Sequence, residues 1–106
     1  MTEIEKQIVG IISASGQSKA KSFEALRKLR SKDFDAARKL IKEATESDLE
    51  AHKIQTALIS AEMSDTEKKP EMSLLMVHAQ DHYMTSQLAR DLIEEMINVF
   101  EEMEVK

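Results

Sequence analysis

Apolar side chains recur every three or four positions along three long stretches of this 106-residue chain, and little interrupts them. The chain has only two glycines and one proline, the residues that most often break helices. Spacing of this kind predicts amphipathic helices that each bury one face. We therefore expect an all-α fold, an antiparallel up-down-up bundle of three helices at about 2–30, 33–63 and 73–103, within a single domain, 1–106.

The expected helix starts carry residues that cap helices. Thr2 and Glu5 have the spacing of a capping box, in which each side chain bonds the other residue's backbone N–H. Ser31 or Asp33 is suited to cap the second helix, and Ser73 to cap the third. The three predicted helices therefore have defined beginnings.

Two segments depart from the apolar pattern. Residues 13–22 lack large apolar groups, so either the first helix breaks near Gly16 or small side chains let a neighbouring helix come close. We expect a continuous helix, because tertiary packing can offset the roughly 1 kcal/mol cost of one glycine. Residues 64–73 are polar and contain Pro70, which predicts a mobile surface loop.

Composition excludes several classes of function. The formal net charge is −5, which argues against nucleic acid as a partner, since phosphate binding needs clustered basic residues. The chain has no cysteine, which excludes disulfides and thiolate chemistry and favours a cytoplasmic location. Its N-terminus does not have the pattern of a signal peptide, and no apolar run approaches the length that spans a membrane.

The third predicted helix places polar groups where its apolar stripe should continue. The stripe consists of Leu74, His78, Asp81, Thr85, Leu88 and Leu92, with alternating spacings of four and three that are typical of a buried seam. His82 lies one turn after His78, and Gln80 lies beside it. Because a buried carboxylate without a partner is costly, we expect Asp81 to meet a cation, water or another polar group.

One chemistry that suits this cluster is metal binding. His78, Asp81 and His82 have the spacing of a half-site on one helix face. His52, on the second helix, is the obvious further ligand. Such a site would make the protein a mononuclear metal hydrolase, although the cluster lacks the order of the common zinc-protease motif.

The other chemistry is nucleophilic attack on phosphorus. A neutral imidazole attacks phosphorus well, so His78 would be the nucleophile, with His82, Gln80 and Thr85 as hydrogen-bond donors to the phosphoryl group. No nucleotide pocket is needed if the phosphoryl group comes from another protein. That fits a chain without a Gly-rich phosphate loop.

The end of the third helix is apolar on more than one face. The residues concerned are Leu88, Leu92, Ile93, Met96, Ile97, Val99 and Phe100. A single helix in a three-helix bundle buries one face, so the excess predicts a second contact surface and self-association.

The sequence around the cluster resembles a known family. SLLMVHAQDHYMTSQLARDLIEE, and within it VHAQDH, is similar to the active-site helix of the lactose/cellobiose family of enzyme IIA components, which belong to the bacterial sugar phosphotransferase system. EALRKLRSKDFDAARKLIKEA and LEAHKIQTALI look like the first two helices of that family. The resemblance covers about residues 4–100. Tyr83 departs from the pattern, which usually has leucine there; it would either tune partner docking or point outward.

The resemblance implies a function and an assembly. Family members are homotrimers that accept a phosphoryl group from the histidine phosphocarrier protein and pass it to a cysteine of the IIB component. The membrane IIC component then delivers a disaccharide such as cellobiose, lactose or chitobiose. By this resemblance His78 is the phosphorylated nucleophile, and His82 and Gln80 line the site. Asp81 from three subunits would share one divalent cation, usually Mg²⁺, at the trimer axis. The alternative is a degenerate helical adaptor that binds partners without phosphoryl transfer.

Overall fold

The three predicted helices are present in a computed structural model, which describes residues 1–65 and 69–105. The first, α1, spans Glu3–Lys28. Thr2 caps it: its hydroxyl accepts from the Glu5 N–H at 3.1 Å, and the Glu5 carboxylate accepts from the Thr2 N–H at 2.9 Å. The helix is continuous through Gly16, and a short 3-10 turn, Leu29–Ser31, extends it. The prediction of an unbroken first helix is therefore confirmed.

The second and third helices also begin at capping residues. Helix α2 spans Phe34–Met63, and the Asp33 carboxylate accepts from the Ala36 N–H at 3.1 Å. Lys32, just before this cap, has a left-handed φ of 59°, which turns the chain between α1 and α2. Helix α3 spans Leu74–Val105, and the Ser73 hydroxyl accepts from the Met76 N–H at 3.1 Å. Of the predicted loop 64–73, residues 64–65 and 69–73 are non-helical, and 66–68 lie outside the described residues.

Contacts between helices define the up-down-up arrangement. Lys21 of α1 pairs with Glu43 of α2, whereas Ile54 lies beside Gly10 near the start of α1, so these two helices are antiparallel. Lys32, just after α1, pairs with Glu104 near the end of α3, so α1 and α3 run in the same direction. The predicted antiparallel three-helix bundle is confirmed.

The core consists of two apolar clusters with a polar layer between them. The first cluster is formed by Ile8, Ile11, Ala14, Ala51, Leu58, Met76, Ala79 and Tyr83. The second is formed by Ala25, Ala37, Leu40, Ile41, Ile93 and Ile97. Between these clusters along all three helices lie the buried polar residues Ser15, Ser18, Ser22, Asp48 and Ser86. We call these five residues the polar layer.

The predicted seam of α3 is on the outside of the subunit. Leu74 is 86% exposed, Leu88 66% and Leu92 52%, and the intervening His78, Asp81 and Thr85 are also exposed. The face that packs in the bundle instead consists of Met76, Ala79, Tyr83, Ser86, Ile93 and Ile97. The stripe is therefore not part of the subunit's own core, and Asp81 lies exposed on it. A regular apolar stripe indicates an apolar helix face, but it does not show whether the same chain covers that face.

Candidate functional site

The candidate site lies on the exposed face of α3, where it passes α1. His78 is exposed there, and its ring centroid is 5.7 Å from that of His82, one helical turn further on. The two planes are inclined by 40°, so the rings are neighbours without stacking in parallel. An exposed imidazole on a rigid helix can be reached by another protein, which nucleophilic transfer between proteins requires.

His82 is half-buried and held by a residue of α1. The Lys19 ammonium lies 3.1 Å from His82 Nδ1 and donates to the Thr85 hydroxyl at 3.0 Å. Burial lowers the pKa of His82 from its usual value, and the nearby charges of Lys19 and His78 lower it further. The site therefore favours the neutral form of the His82 ring.

Gly16 allows α1 to pass close to the same ring. A Cβ placed on Gly16 would lie 3.8 Å from His82 Nε2, so the backbone at this position borders the edge of the imidazole. The segment 13–22, which lacks large apolar groups, thus forms the wall of the site that α1 contributes. Sequence reasoning identified its small residues but missed Lys19, because nothing in the local pattern shows which helix a lysine will reach.

Gln80 is directed away from His78. Its side-chain oxygen accepts from the Gln55 amide of α2, and its amide nitrogen lies 4.0 Å from the Met76 sulfur. Residues two apart on a helix do not share a face. The structure thus brings His82 to His78, as the sequence predicted, but holds Gln80 against α2.

The metal half-site does not gain the further ligand that the hydrolase hypothesis needs. His52 is engaged elsewhere: its Nδ1 is 3.1 Å from the Tyr83 hydroxyl, and the two rings are 6.5 Å apart. Within residues 1–65 and 69–105, no group of three histidine, aspartate or glutamate side chains could hold a metal ion. The Asp81 carboxylate itself is exposed.

Tyr83 points into the core, so the expectation that it meets solvent or a partner is wrong. It is only 2% exposed, and its ring belongs to the first apolar cluster. Burial raises the pKa of the Tyr83 hydroxyl above its usual value, and the charge of Asp48 raises it further. The phenol is therefore kept neutral inside the bundle.

A buried charge pair lies behind the site and was missed from the sequence. Asp48 Oδ1 accepts from the Ser86 hydroxyl at 2.8 Å, and Asp48 Oδ2 lies 3.2 Å from Arg90 Nη1. The second contact is an ion pair whose geometry falls short of a hydrogen bond. A signal was present: Asp48 fills the gap between Ala44 and Ala51 in the apolar stripe of α2.

Comparison with known proteins gives the same fold and family. The family model for the lactose/cellobiose-specific IIA subunit of the phosphotransferase system matches residues 6–101. A relative from Escherichia coli K12, the N,N'-diacetylchitobiose-specific EIIA component, is 41% identical over 95% of this chain and 85% of its own length.

Two solved structures are also similar. The cellobiose-specific enzyme IIA of Bacillus anthracis has a TM-score of 0.91 and 34% identity, covering 100% of this chain and 95% of its own. The chitobiose IIA in a solution structure of its complex with HPr has a TM-score of 0.83 and 36% identity, covering 98% and 99%.

These similarities extend over nearly the whole chain. In the described residues no helix is long and apolar enough to cross a membrane. The predicted resemblance and the prediction of a phosphotransferase component are both confirmed. The chain belongs to the lactose/cellobiose-specific IIA subunit family of the sugar phosphotransferase system.

Proposed function

We propose that this chain carries a phosphoryl group on His78. The histidine phosphocarrier protein, HPr, is the donor, and a cysteine of a IIB component is the acceptor. The observation that carries the proposal is an exposed imidazole on α3 beside a second imidazole, in a member of the IIA family. The complex of the chitobiose relative with HPr supports HPr as the donor.

The transfer requires a nucleophile that the donor protein can reach. A ring nitrogen of His78 forms a bond to phosphorus while the bond between phosphorus and the donor histidine breaks, and the electron pair returns to the donor ring. The tip nitrogen of His78, Nε2, is the one we expect to react, because it projects furthest from the helix. In the second transfer the cysteine thiolate displaces the His78 nitrogen in the same way.

The apolar stripe of α3 supports a homotrimer. Leu74, Leu88 and Leu92 are exposed along one face, on the same side as Asp81. A soluble monomer rarely leaves such a stripe uncovered, and packing three copies around an axis would bury it. The same packing would bring three Asp81 carboxylates together.

A divalent cation, which we expect to be Mg²⁺, fits such a site. Among the described residues, the Asp81 carboxylate takes part in no hydrogen bond or ion pair, so it is available as a ligand. Hard cations prefer carboxylate oxygens. When bound, the ion would offset the mutual repulsion of three Asp81 carboxylates. Asp81 would contribute to assembly by holding that ion.

The step that follows transfer to the IIB component is uptake of a sugar. The solved and curated relatives are named for cellobiose and chitobiose, and the family description names lactose and cellobiose. We infer that the phosphoryl group serves uptake of a disaccharide through a membrane IIC component. Because the donor and acceptor chemistry is cytoplasmic, the chain would act in the cytoplasm.

The test is intact-protein mass after incubation with phosphoenolpyruvate, enzyme I and HPr, for the wild type and His78→Ala. We expect an acid-labile gain of one phosphoryl group per subunit in the wild type and none in the variant. His52→Ala is the matched control, since His52 contacts Tyr83 instead of the site, and it should be phosphorylated like the wild type. No gain in the wild type would favour the adaptor function.

A further inference from the structure

Lys19 connects α1 to the histidine pair. Its ammonium lies 3.1 Å from His82 Nδ1 and 3.0 Å from the Thr85 hydroxyl. That hydroxyl donates its own hydrogen to the backbone carbonyls of Asp81 and His82, at 2.9 and 3.1 Å. It therefore acts as the acceptor in its bond with Lys19. Lys19 is thus held by two acceptors on successive turns of α3.

The contact with Lys19 determines which nitrogen of His82 carries hydrogen. An ammonium group can only donate, so His82 Nδ1 must accept. In a neutral imidazole the other nitrogen then carries the hydrogen, which makes Nε2–H a donor. No group in residues 1–65 and 69–105 accepts a hydrogen bond from this Nε2, so the Nε2–H remains available for a ligand.

The position of His82 suits a phosphoryl group on His78. The ring centroids are 5.7 Å apart, a separation that an oxygen of a group attached to one ring can bridge to a donor on the other. The positive charge of Lys19, 3.1 Å from His82 Nδ1, also favours the negative phosphoryl oxygens electrostatically.

We propose that Lys19 is a positioning residue for phosphoryl transfer, which fixes His82 with its hydrogen on Nε2 so that this N–H can bond a phosphoryl oxygen on His78. The inference rests on the proposed function. The bond changes are those of the transfer itself: His78 gains the phosphorus, and the donor ring recovers its electron pair. His82 keeps its proton throughout and contributes only a hydrogen bond.

A purely structural lysine would behave differently. If Lys19 only joined α1 to α3, its loss would affect stability and leave the His82 ring and the transfer rate unchanged in protein that remains folded. The positioning role and the purely structural role are therefore distinguished by the tautomer of the His82 ring. This tautomer can be measured without any partner protein.

The experiment compares Lys19→Met and Lys19→Arg with Lys21→Met as the matched control. Lys21 is two residues away and pairs with Glu43, on the opposite side of α1 from the site. The first readout is the pair of ring ¹⁵N chemical shifts of His82, which distinguish the two tautomers. The second is the rate of phosphoryl transfer from phosphorylated HPr, and circular dichroism checks that each variant is folded.

We expect the wild type to show His82 with hydrogen on Nε2, and Lys19→Met to show a mixture of tautomers with transfer slowed about 10- to 100-fold. Lys19→Arg, which can still donate, should recover most of the wild-type tautomer and part of the rate. Lys21→Met should match the wild type in both readouts.

Two results would overturn the proposal. One is a folded Lys19→Met protein with wild-type ring shifts and rate. The other is a slowed transfer with unchanged His82 shifts, since Lys19 would then act by another route. Failure of the proposed function looks different: the wild-type protein itself takes up no phosphoryl group, whatever the shifts of His82.

Discussion

At the scale of single residues, the least expected feature is a charge pair in the centre of a small bundle. Asp48 is 2% exposed and is bonded by Ser86, with Arg90 as its counter-ion. Taking such a pair out of water costs about as much as its attraction returns, but removing one partner leaves the other uncompensated. The pair therefore adds little net stability while making the bundle sensitive to either change.

We expect Asp48→Asn to lower the free energy of unfolding by about 3 kcal/mol, because Arg90 keeps its charge and loses its buried counter-ion. The measurement is urea unfolding followed by circular dichroism. Asp91→Asn is the matched control: Asp91 also contacts Arg90, at 3.1 Å, but its side chain is 64% exposed. That variant should lose less than about 0.5 kcal/mol. Equal losses would show that the burial of Asp48 does not matter.

At the scale of elements, α1 packs through small side chains. Ser15, Ser18 and Ser22 are fully buried, and their hydroxyls have no hydrogen-bond partner among the described residues. Side chains of this size let α1 approach both of the other helices, which brings Lys19 within reach of His82. Burying an unpartnered hydroxyl has a cost, and the close approach offsets it through packing.

Ser18→Ala should therefore stabilise the bundle, because it removes a buried hydroxyl without changing the size of the contact. We expect a gain of about 1 kcal/mol beyond that of Ser13→Ala, an exposed position on the same helix that corrects for the helix propensity of alanine. Thermal or urea unfolding of both variants gives the comparison. A Ser18→Ala protein less stable than the wild type would mean that the hydroxyl has a partner.

The helices themselves could be predicted from the sequence, because the signals that begin them lie close together in the chain. Thr2, Asp33 and Ser73 cap helices through bonds to residues three positions on, so the pattern that signals them lies within one turn. The same holds for VHAQDH, a continuous string that places His78 and His82 one turn apart.

What could not be predicted depends on contacts between helices. The partner of Lys19 lies 63 residues away, and that of Asp48 lies 38 residues away at Ser86. The periodicity of the stripe from Leu74 to Leu92 indicates an apolar face, but it does not show which chain covers that face. Gln80 was assigned to the site by its place in the motif, but its side chain bonds Gln55.

At the scale of the whole molecule, the exposed stripe of α3 predicts assembly into a trimer. Leu92 and Leu49 provide a matched pair, because they are 52% and 53% exposed but lie on α3 and α2. If the stripe of α3 forms the trimer axis, Leu92→Asp should dissociate the trimer to monomers, while Leu49→Asp leaves it intact. Sedimentation equilibrium measures the mass of each.

Asp81→Leu extends the same measurement to the proposed cation. Exchanging a shared ion for apolar packing should leave a trimer, and that trimer should no longer respond to a chelator. Dissociation of Asp81→Leu would show that assembly needs the ion, and a trimeric Leu92→Asp protein would show that the interface lies elsewhere.

The polar layer between the two apolar clusters also limits how the helices can slide. Apolar side chains repeating at similar spacing tolerate a shift of one helical turn, about 5.4 Å, with little loss of contact. Such a shift of α3 would move Ser86 and Arg90 away from Asp48 and leave a buried carboxylate without its hydrogen bond and its counter-ion. The register that keeps Ser86 and Arg90 beside Asp48 therefore has the lowest energy. In this same register Lys19 contacts His82. A charge pair deep in the bundle thus sets the axial alignment of the site on its surface.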